Sequence, residues 1–305
     1  MSKARSGGSL EVDGRTIAVT NLDKVLWPEA GFTKGEMLAY YRAIAPVMVP
    51  HVRGRPMTLK RYPDGVDSES FYEKNAPRHR PEWLRTARIL AERSKREIDF
   101  ALIDDTPSLL WAAQLASIEL HVSLSLAERL DRPTMLVFDL DPGPPATIVE
   151  CCEVGLLVRD MLLAQDVQTF AKSSGSKGLQ LYAPLNSRTT YDETKAVARV
   201  VAEVLERGRP DLVVSRMKRA LRPGKVFVDW SQNDVSKTTV SVYSLRARER
   251  PTVSTPVSWD EVERALARRD AGLLRFEAAD VLARIERDGD LFAPTLELEQ
   301  QLPKL

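Results

Sequence analysis

An α+β fold, with mixed but mainly antiparallel sheets in two layers and flanking helices, follows from two features of the sequence. Short runs of alternating apolar and polar residues interleave with a few segments of helical periodicity. Strict alternation of strand and helix, the mark of a doubly wound parallel sheet, is absent. At 305 residues the chain can form one large domain or two small ones around a substantial core. Neither an internal repeat nor a long low-complexity linker interrupts it.

In order, residues 1–9 are Ser, Gly and basic, a composition that predicts disorder. Residues 10–19 alternate around Asp13-Gly14, a hairpin signal. Residues 21–26 form a turn or helical stub carrying Lys24. Thr33 and Glu36 make a capping box, and Met37, Leu38, Tyr41, Ile44, Ala45 and Met48 line the apolar stripe of a helix expected to stop before Pro50. Residues 56–62 read as a strand with Lys60 and Arg61 on opposite faces, followed by Phe71-Tyr72, a proline-rich passage and a strand near 98–103. Residues 108–116 read as helical. In 118–123, Ile118, Leu120 and Val122 take one face of a strand, so Glu119, His121 and Ser123 share the other. Thr147 and Glu150 cap a helix to about residue 165. A strand over 167–172, a tight loop at 173–178 and a strand over 179–183 come next. Thr190 and Glu193 cap a helix to about residue 205; strands at 225–230 and 238–245 and helices near 259–267 and 278–285 finish the fold.

Hydrophobic residues make up 43% and charged residues 29%, as in an ordinary soluble protein. No apolar run approaches the ~20 residues of a membrane span. The N-terminus lacks an apolar signal core, so a cytoplasmic protein without a membrane partner is expected. The only two cysteines, Cys151 and Cys152, are adjacent, which excludes a disulfide framework and a Cys-x-x-Cys zinc site and suits packing in a helix. A net charge of +1 gives no whole-molecule attraction to nucleic acid. Any basic surface is local, and Arg207, Arg209, Arg216, Lys218, Arg219, Arg222 and Lys225, against a lone Asp211, supply one candidate. Alone, such a run reads as a solvated face.

The stretch that carries chemistry is Leu136-Val137-Phe138-Asp139-Leu140-Asp141-Pro142. Its apolar residues read as a buried strand, where Asp is depleted and an unpaired charge is costly. Residues two apart on a strand share a face roughly 7 Å apart, so Asp139 and Asp141 converge. A pair of divalent cations about 4 Å apart, held by such carboxylates, is the usual device for in-line attack on a phosphate. The plainer alternative is an Asp-Pro turn at the strand end, with Asp139 paired to an arginine. Ser173-Ser174-Gly175-Ser176-Lys177-Gly178 combines permissive glycines, hydroxyls and a point charge that together suit a phosphate, although a Gly-Ser hairpin explains it equally well. It lacks the Walker A spacing, and a strand rather than a helix follows it. Asp229, ending a second apolar strand, is either a third metal ligand or the cap of its own turn. His121 is open between a functional group and a structural hydrogen bond to Glu119. His-Glu-x-x-His, Gly-x-Ser-x-Gly, a dinucleotide Gly-x-Gly-x-x-Gly and Lys-x-Asp-Gly are all absent, which removes the parts for zinc proteolysis, serine hydrolysis, hydride transfer and self-adenylation.

Asp139-Leu140-Asp141-Pro142-Gly143, Ser174-Gly175-Ser176-Lys177-Gly178-Leu179 and Lys225-Val226-Phe227-Val228-Asp229-Trp230-Ser231-Gln232-Asn233, in that order, resemble the polymerase domain of bacterial DNA ligase D. That domain belongs to the archaeo-eukaryotic primase superfamily and serves in non-homologous end joining. The resemblance spans residues 10–289. It implies one primase-polymerase domain over 10–290, with a subregion at 10–130, a catalytic core at 131–250, helices at 256–290 and a tail at 291–305. It further implies template-directed nucleotidyl transfer at DNA gaps or ends, with two divalent ions, Mn²⁺ preferred over Mg²⁺, and ribonucleoside triphosphates preferred. Ku and a separate ligase are the partners it implies, at the nucleoid. No ligase or nuclease region accompanies the motifs, which suggests a stand-alone form.

By position, the resemblance makes Asp139, Asp141 and Asp229 the metal-binding catalytic acids. Ser174, Gly175, Ser176 and Lys177 become the triphosphate loop, with Lys60, His121 and Arg246 also near the nucleotide. Phe71 or Tyr72 becomes the aromatic that stacks on a base; otherwise the pair reads as core. Asn21, Lys24 and Lys34 match the grip on a downstream 5′-phosphate, and Arg222 a basic residue near active site and template. Gln180 stands where the family usually has His; it keeps a hydrogen-bonding head but carries no charge. Competing readings are a primase that starts strands de novo, a DNA-end-binding scaffold with vestigial chemistry, and a metal-dependent phosphohydrolase. Retention of all three acids and Lys177 argues against the scaffold.

Overall fold

The computed structural model describes residues 7–91 and 95–303, so the expectation of disorder over 1–6 lies outside the described residues. Gly7–Val12 is already a strand, paired antiparallel with Arg15–Thr20 through the Val12↔Arg15 register. Asp13 and Gly14 both take positive φ, which the two-residue turn requires. Ordered pairing from Gly7 replaces the expected disorder of residues 7–9. The chain divides into two compact units, the first comprising Met1–Val122, Val240–Val253 and Glu277–Arg287, the second Ser123–Thr239, Ser254–Phe276 and Asp288–Leu305.

In the first unit a sheet runs Ser117–Val122, Pro56–Arg61, Arg96–Leu102, Thr86–Ala91, with Phe71–Glu73 beside Pro56–Arg61; every one of these pairings is antiparallel. The Lys34–Val52 helix starts at the Thr33–Glu36 capping box and buries Met37, Leu38, Tyr41, Ile44, Ala45 and Met48, as its periodicity predicts. It does not stop before Pro50. Pro50 lacks an N–H, but in the last turn that forfeits a single intrahelical bond, and burial of His51 and Val52 beyond the expected stop offsets the loss. The strand expected over 238–245 is also corrected: only Thr239–Val240 is strand, because Tyr243 turns into the left-handed region at φ 64°.

The second unit carries a six-stranded sheet in the order Val213–Val214, Val226–Asp229, Met135–Pro142, Leu179–Pro184, Phe170–Ser173, Pro256–Val257. Only the Val213–Val214 edge is parallel to its neighbour. Leu136, Phe138, Leu140, Leu179, Leu181, Val226 and Val228 face the core, where Val154, Val158 and Leu162 of the Ile148–Leu163 helix and Val201 and Leu205 of the Tyr191–Gly208 helix cover them. Cys151 and Cys152 are buried in the first of these helices, as expected. One sheet face is thereby sealed by helices, and Asp139, Asp141 and Asp229 alternate onto the other. Beyond the expected pair of C-terminal helices, realised as Trp259–Arg268 and Ala278–Asp288, a short helix at Pro294–Glu297 lies in the expected tail.

A side chain completes the sheet where a strand ends. Val226–Asp229 pairs with the central strand only from Asp139 to Pro142. Past Asp229 the chain turns, and the buried Asn233 accepts from the Val137 N–H at 2.9 Å and donates to the Val137 carbonyl at 2.7 Å. Asn233→Ala leaves both groups without partners in the core and is expected to cost about 2 kcal/mol. Chemical denaturation of the two proteins measures it; equal midpoints would mean that the clamp contributes nothing.

Candidate active site

Sheet register sets out the site. Asp229 stands opposite Asp139, Asp139 opposite Gln180, and Gln180 opposite Lys172, so four side chains form one row across four strands. Asp141 lies two residues along from Asp139 on the same face. Burial, and then the negative charges of Asp141 and Asp229, hold the Asp139 carboxyl well above its usual range, while the Gln180 hydrogen bond and Lys172 charge oppose the shift. Gln180 Nε2 donates to Asp139 Oδ1 at 3.0 Å. Asp229 is held by its own turn: Oδ1 accepts from the Ser231 N–H at 3.0 Å and Oγ at 2.6 Å, and Oδ2 from Gln232 Nε2 at 3.1 Å. The turn-capping reading of Asp229 is thus realised without taking it off the acidic face.

Among the described residues, no group of three or more His, Cys, Asp or Glu side chains closes into a preformed metal cage. Like charges repel, and the hydrogen bonds to Asp229 turn both of its oxygens to the protein. The donor set is nonetheless all carboxylate oxygen, which suits Mg²⁺ or Mn²⁺ rather than a thiolate- or imidazole-seeking ion.

The Ser-Gly loop closes on itself. Ser174 Oγ accepts from the Ser176 N–H at 3.2 Å and the Gly178 N–H at 3.1 Å, and Gly175 supplies a positive φ of 65°. A Cβ at Gly178 would collide with the Leu140 carbonyl oxygen. Glycine there lets the loop press onto the strand between the two acids, with Lys177 exposed beside it. Gly143, just past the acids, meets Arg222 in the same way: a Cβ would strike the Arg222 carbonyl oxygen. The Arg222 guanidinium lies 3.7 Å from the Phe227 ring centroid and donates to the Met217 carbonyl. Of the basic run, Arg209 pairs with Glu153 and Asp211, and Arg216 with Glu206, so these serve the scaffold. Arg207, Lys218 and Arg219 are exposed.

In the first unit the cations gather around one buried acid. Glu119, 2% exposed, accepts from His121 Nε2 at 3.0 Å and the Ala247 N–H at 3.2 Å, with Arg246 Nε at 3.2 Å and Lys60 Nζ at 3.8 Å. Burial opposes its ionisation, yet the His121 hydrogen bond and the Arg246 and Lys60 charges outweigh burial and keep the carboxyl below its usual range. Burial lowers the His121 pKa despite the Glu119 contact, favouring neutral imidazole. The structural hydrogen bond left open for His121 is therefore present, and Glu119 is the organising residue the sequence did not single out. The exposed aromatics separate. Tyr72 is paired with Lys60 in register and meets the His121 ring edge-on at 5.7 Å, whereas Phe71 is paired with Arg61, whose guanidinium lies 5.2 Å from its ring. Neither is core: Tyr72 is 58% exposed and Phe71 46%.

Asn21, Lys24 and Lys34 are drawn together by a tight turn. Asn21 takes φ 56°, Lys24 N–H bonds the Asn21 carbonyl, and Lys34 N–H bonds the Lys24 carbonyl at 2.8 Å. Lys24 Nζ meets Asp64 at 2.6 Å, and the buried Lys34 Nζ donates to the Thr20 carbonyl. Burial first, then Lys24 and Arg61, lowers the Lys34 pKa to about 8. Mutually repelling cations that include a buried one make a site whose charge an anion would relieve. Arg61, held by the Leu115 carbonyl and Glu73, is a further member that the sequence did not flag.

Comparison with known proteins fits this arrangement. Residues 33–292 match the model of the LigD primase-polymerase domain. The multifunctional non-homologous end joining protein LigD of Mycolicibacterium smegmatis is 44% identical over 280 residues, covering 91% of this chain and 36% of that protein. The bifunctional LigD of Bacillus subtilis is 29% identical over 271 residues, covering 88% of this chain and 42% of its own length. The chain thus spans less than half the length of these relatives. Among solved structures, the polymerase domain of Mycobacterium tuberculosis ligase D in complex with DNA superposes with a TM-score of 0.84 at 42% identity, covering 92% of this chain and 98% of that one. With a matching family model, relatives across nearly its whole length and a shared α+β fold, the chain belongs to the LigD primase-polymerase domain family, DNA-directed nucleotidyltransferases of primase type.

Proposed function

We propose that this chain adds nucleotides, ribonucleotides in preference, to a primer 3′-end at DNA gaps or broken ends during non-homologous end joining. The observation that carries the proposal is the single sheet face on which Asp229 stands opposite Asp139, with Asp141 beside it and the Ser174–Gly178 turn pressed between the two acids of the central strand. Asp139, Asp141 and Asp229 are the residues that would hold a pair of divalent ions, Mn²⁺ or Mg²⁺. When bound, such ions would supply positive charge for deprotonation of the primer hydroxyl and for the departing pyrophosphate.

The remaining work belongs to the chain. Ser174, Gly175, Ser176 and Lys177 orient the triphosphate, with Lys177 as a point charge. Lys60, His121 and Arg246, anchored by Glu119, contact the incoming nucleotide. Tyr72, on the Lys60 and His121 side, is the favoured aromatic for a base. Gln180 orients Asp139, and Arg222 lies near the template strand. Asn21, Lys24 and Lys34 grip the 5′-phosphate across the gap, setting register without reading sequence. Ku and a DNA ligase activity are what this pathway calls for, at the nucleoid.

Extension of a labelled primer on a gapped duplex with a downstream 5′-phosphate, in Mn²⁺ and ribonucleotides, tests the reading. Templated addition is expected from the intact protein and only background from Asp139→Ala, with DNA binding largely unchanged. Comparable synthesis by the variant would remove Asp139 from the site. Tight binding without addition by the intact protein would favour an end-binding scaffold, and release of free phosphate products a hydrolase.

The phosphate grip is tested separately. Lys24→Ala is expected to weaken binding about tenfold on a 5′-phosphorylated gap and hardly at all on a 5′-hydroxyl gap. Equal loss on both would rule out the pocket. Lys34 is mostly protonated below about 8 and neutral above it. The preference for the phosphorylated gap should therefore fall as the pH is raised from about 7 to about 9. A preference that is flat over that window would assign the grip to groups other than Lys34.

A further inference from the structure

The row of side chains across the second unit's sheet does not end at the acids. Lys172 stands opposite Gln180 in the Phe170–Ser173 strand and is 1% exposed. Its Nζ donates to Gln180 Oε1 at 2.6 Å and to Ser254 Oγ at 2.6 Å, and lies 5.4 Å from the Tyr182 ring centroid. Ser254 Oγ in turn donates to the Ser173 carbonyl at 3.2 Å, and the Tyr182 hydroxyl donates to the same Gln180 oxygen at 3.4 Å.

An ammonium group can only donate, and an ionised carboxylate can only accept. With Lys172 on one side of Gln180 and Asp139 on the other, one amide orientation satisfies both: oxygen toward Lys172, NH₂ toward Asp139. Turned the other way, the amide would aim its oxygen at the Asp139 carboxylate and its NH₂ at the ammonium, losing both bonds. Glutamine carries this ambiguity between its two ends, and here a buried cation resolves it.

We infer that Lys172 is a positioning residue for nucleotidyl transfer, holding Gln180 in the one amide orientation that presents the Asp139 carboxylate to a divalent cation. The inference rests on Asp139 being a metal ligand, as proposed above. Lys172 touches neither substrate nor metal in this scheme and acts through Gln180 alone. A buried side chain that fixes the direction of a metal-ligating carboxylate belongs to the outer contacts whose loss typically costs 10–100-fold in metal affinity.

The test is Mn²⁺ affinity, read as the free-ion electron paramagnetic resonance signal on titrating intact protein, Lys172→Met, Gln180→Leu, the double variant and Asp139→Ala. Thermal midpoints are recorded on the same samples. Lys172→Met and Gln180→Leu should each raise the Mn²⁺ dissociation constant about tenfold, and the double variant should be no weaker than Gln180→Leu. Primer extension should show the loss in kcat more than in the nucleotide KM. A drop in thermal midpoint with unchanged Mn²⁺ affinity would make Lys172 merely structural, and losses that multiply in the double variant would mean that it does not act through Gln180. If Lys172→Met does not fold, Gln180→Leu alone decides, since wild-type affinity in that variant overturns the relay. Asp139→Ala keeps the two readings apart. If it binds Mn²⁺ normally, the metal assignment fails; if it loses Mn²⁺ while the other variants do not, only the inference fails.

Discussion

Convergence of three carboxylates on one face of a sheet is the constraint to which the second unit answers. Strand register puts Asp229 beside Asp139, and strand periodicity puts Asp141 on the same face, so the charges cannot avoid one another without breaking the ladder. The opposite face is apolar and sealed by two helices, which locks the register: a slip by one residue would bury the acids and expose Leu136, Phe138 and Leu140. Energy gained in the core thereby maintains an arrangement that electrostatics opposes. The raised Asp139 carboxyl is the local sign of that opposition. Gly178 and Gly143 share the same origin, because loops that must pass so close to the acidic strand have no room for a side chain.

The first unit solves a related problem in two opposite ways. Around Glu119, one buried carboxylate is surrounded by His121, Arg246 and Lys60, and the cluster is electrostatically content before any ligand arrives. Around Lys34, burial first and then the charges of Lys24 and Arg61 depress the pKa of the ammonium. The first arrangement pre-orients groups; the second is one whose repulsion a bound anion would relieve. Cross-strand pairing of Tyr72 with Lys60 and of Phe71 with Arg61 gives each cluster its own exposed aromatic. That assignment depends on which strand lies next to Phe71–Glu73, which is a property of the sheet.

What could be read from the sequence follows the range of the interactions concerned. Capping boxes at Thr33, Thr147 and Thr190, the Asp13-Gly14 hairpin and the alternation around Asp139 are set by neighbours within a few residues, and they appear where local rules place them. Pro50 misled because its penalty is small in a final turn whose buried face continues to Val52. The strand expected near residue 243 misled because nothing in a Val-Tyr-Ser-Leu pattern announces a positive φ at Tyr243. The placement of Asp139 and Asp141 on one strand face was legible through spacing, whereas spacing left the Ser-Gly loop open to a plain hairpin. Glu119, Arg61 and Lys172 were not, because their importance comes from cross-strand partners about 60, 12 and 8 residues away, and a charged residue on a strand carries no mark of the register it will adopt.

Gln180 brings these threads together. Histidine, which the family resemblance leads one to expect at this position, has two ring nitrogens whose roles a neighbouring acceptor or donor can select through the tautomer. Glutamine has no tautomer to select; its donor and acceptor are exchanged only by turning the amide over, and both orientations fill the same space. A glutamine beside a metal-binding carboxylate is therefore useful only when something on its far side distinguishes oxygen from nitrogen. Water could not do so, since it accepts and donates alike. A buried ammonium can, and the Lys172 Nζ contact at 2.6 Å puts one where that distinction has to be made. The cost of burying Lys172 is in part returned by hydrogen bonds to Gln180 and Ser254 and by the face of Tyr182. Its positive charge also tempers the repulsion that raises the Asp139 carboxyl. On the reading proposed above, the neutral residue next to the acids and the charged residue beyond it in the same row thus make one device, in which the cation stays a full side chain away from Asp139 and still determines which way its carboxylate points.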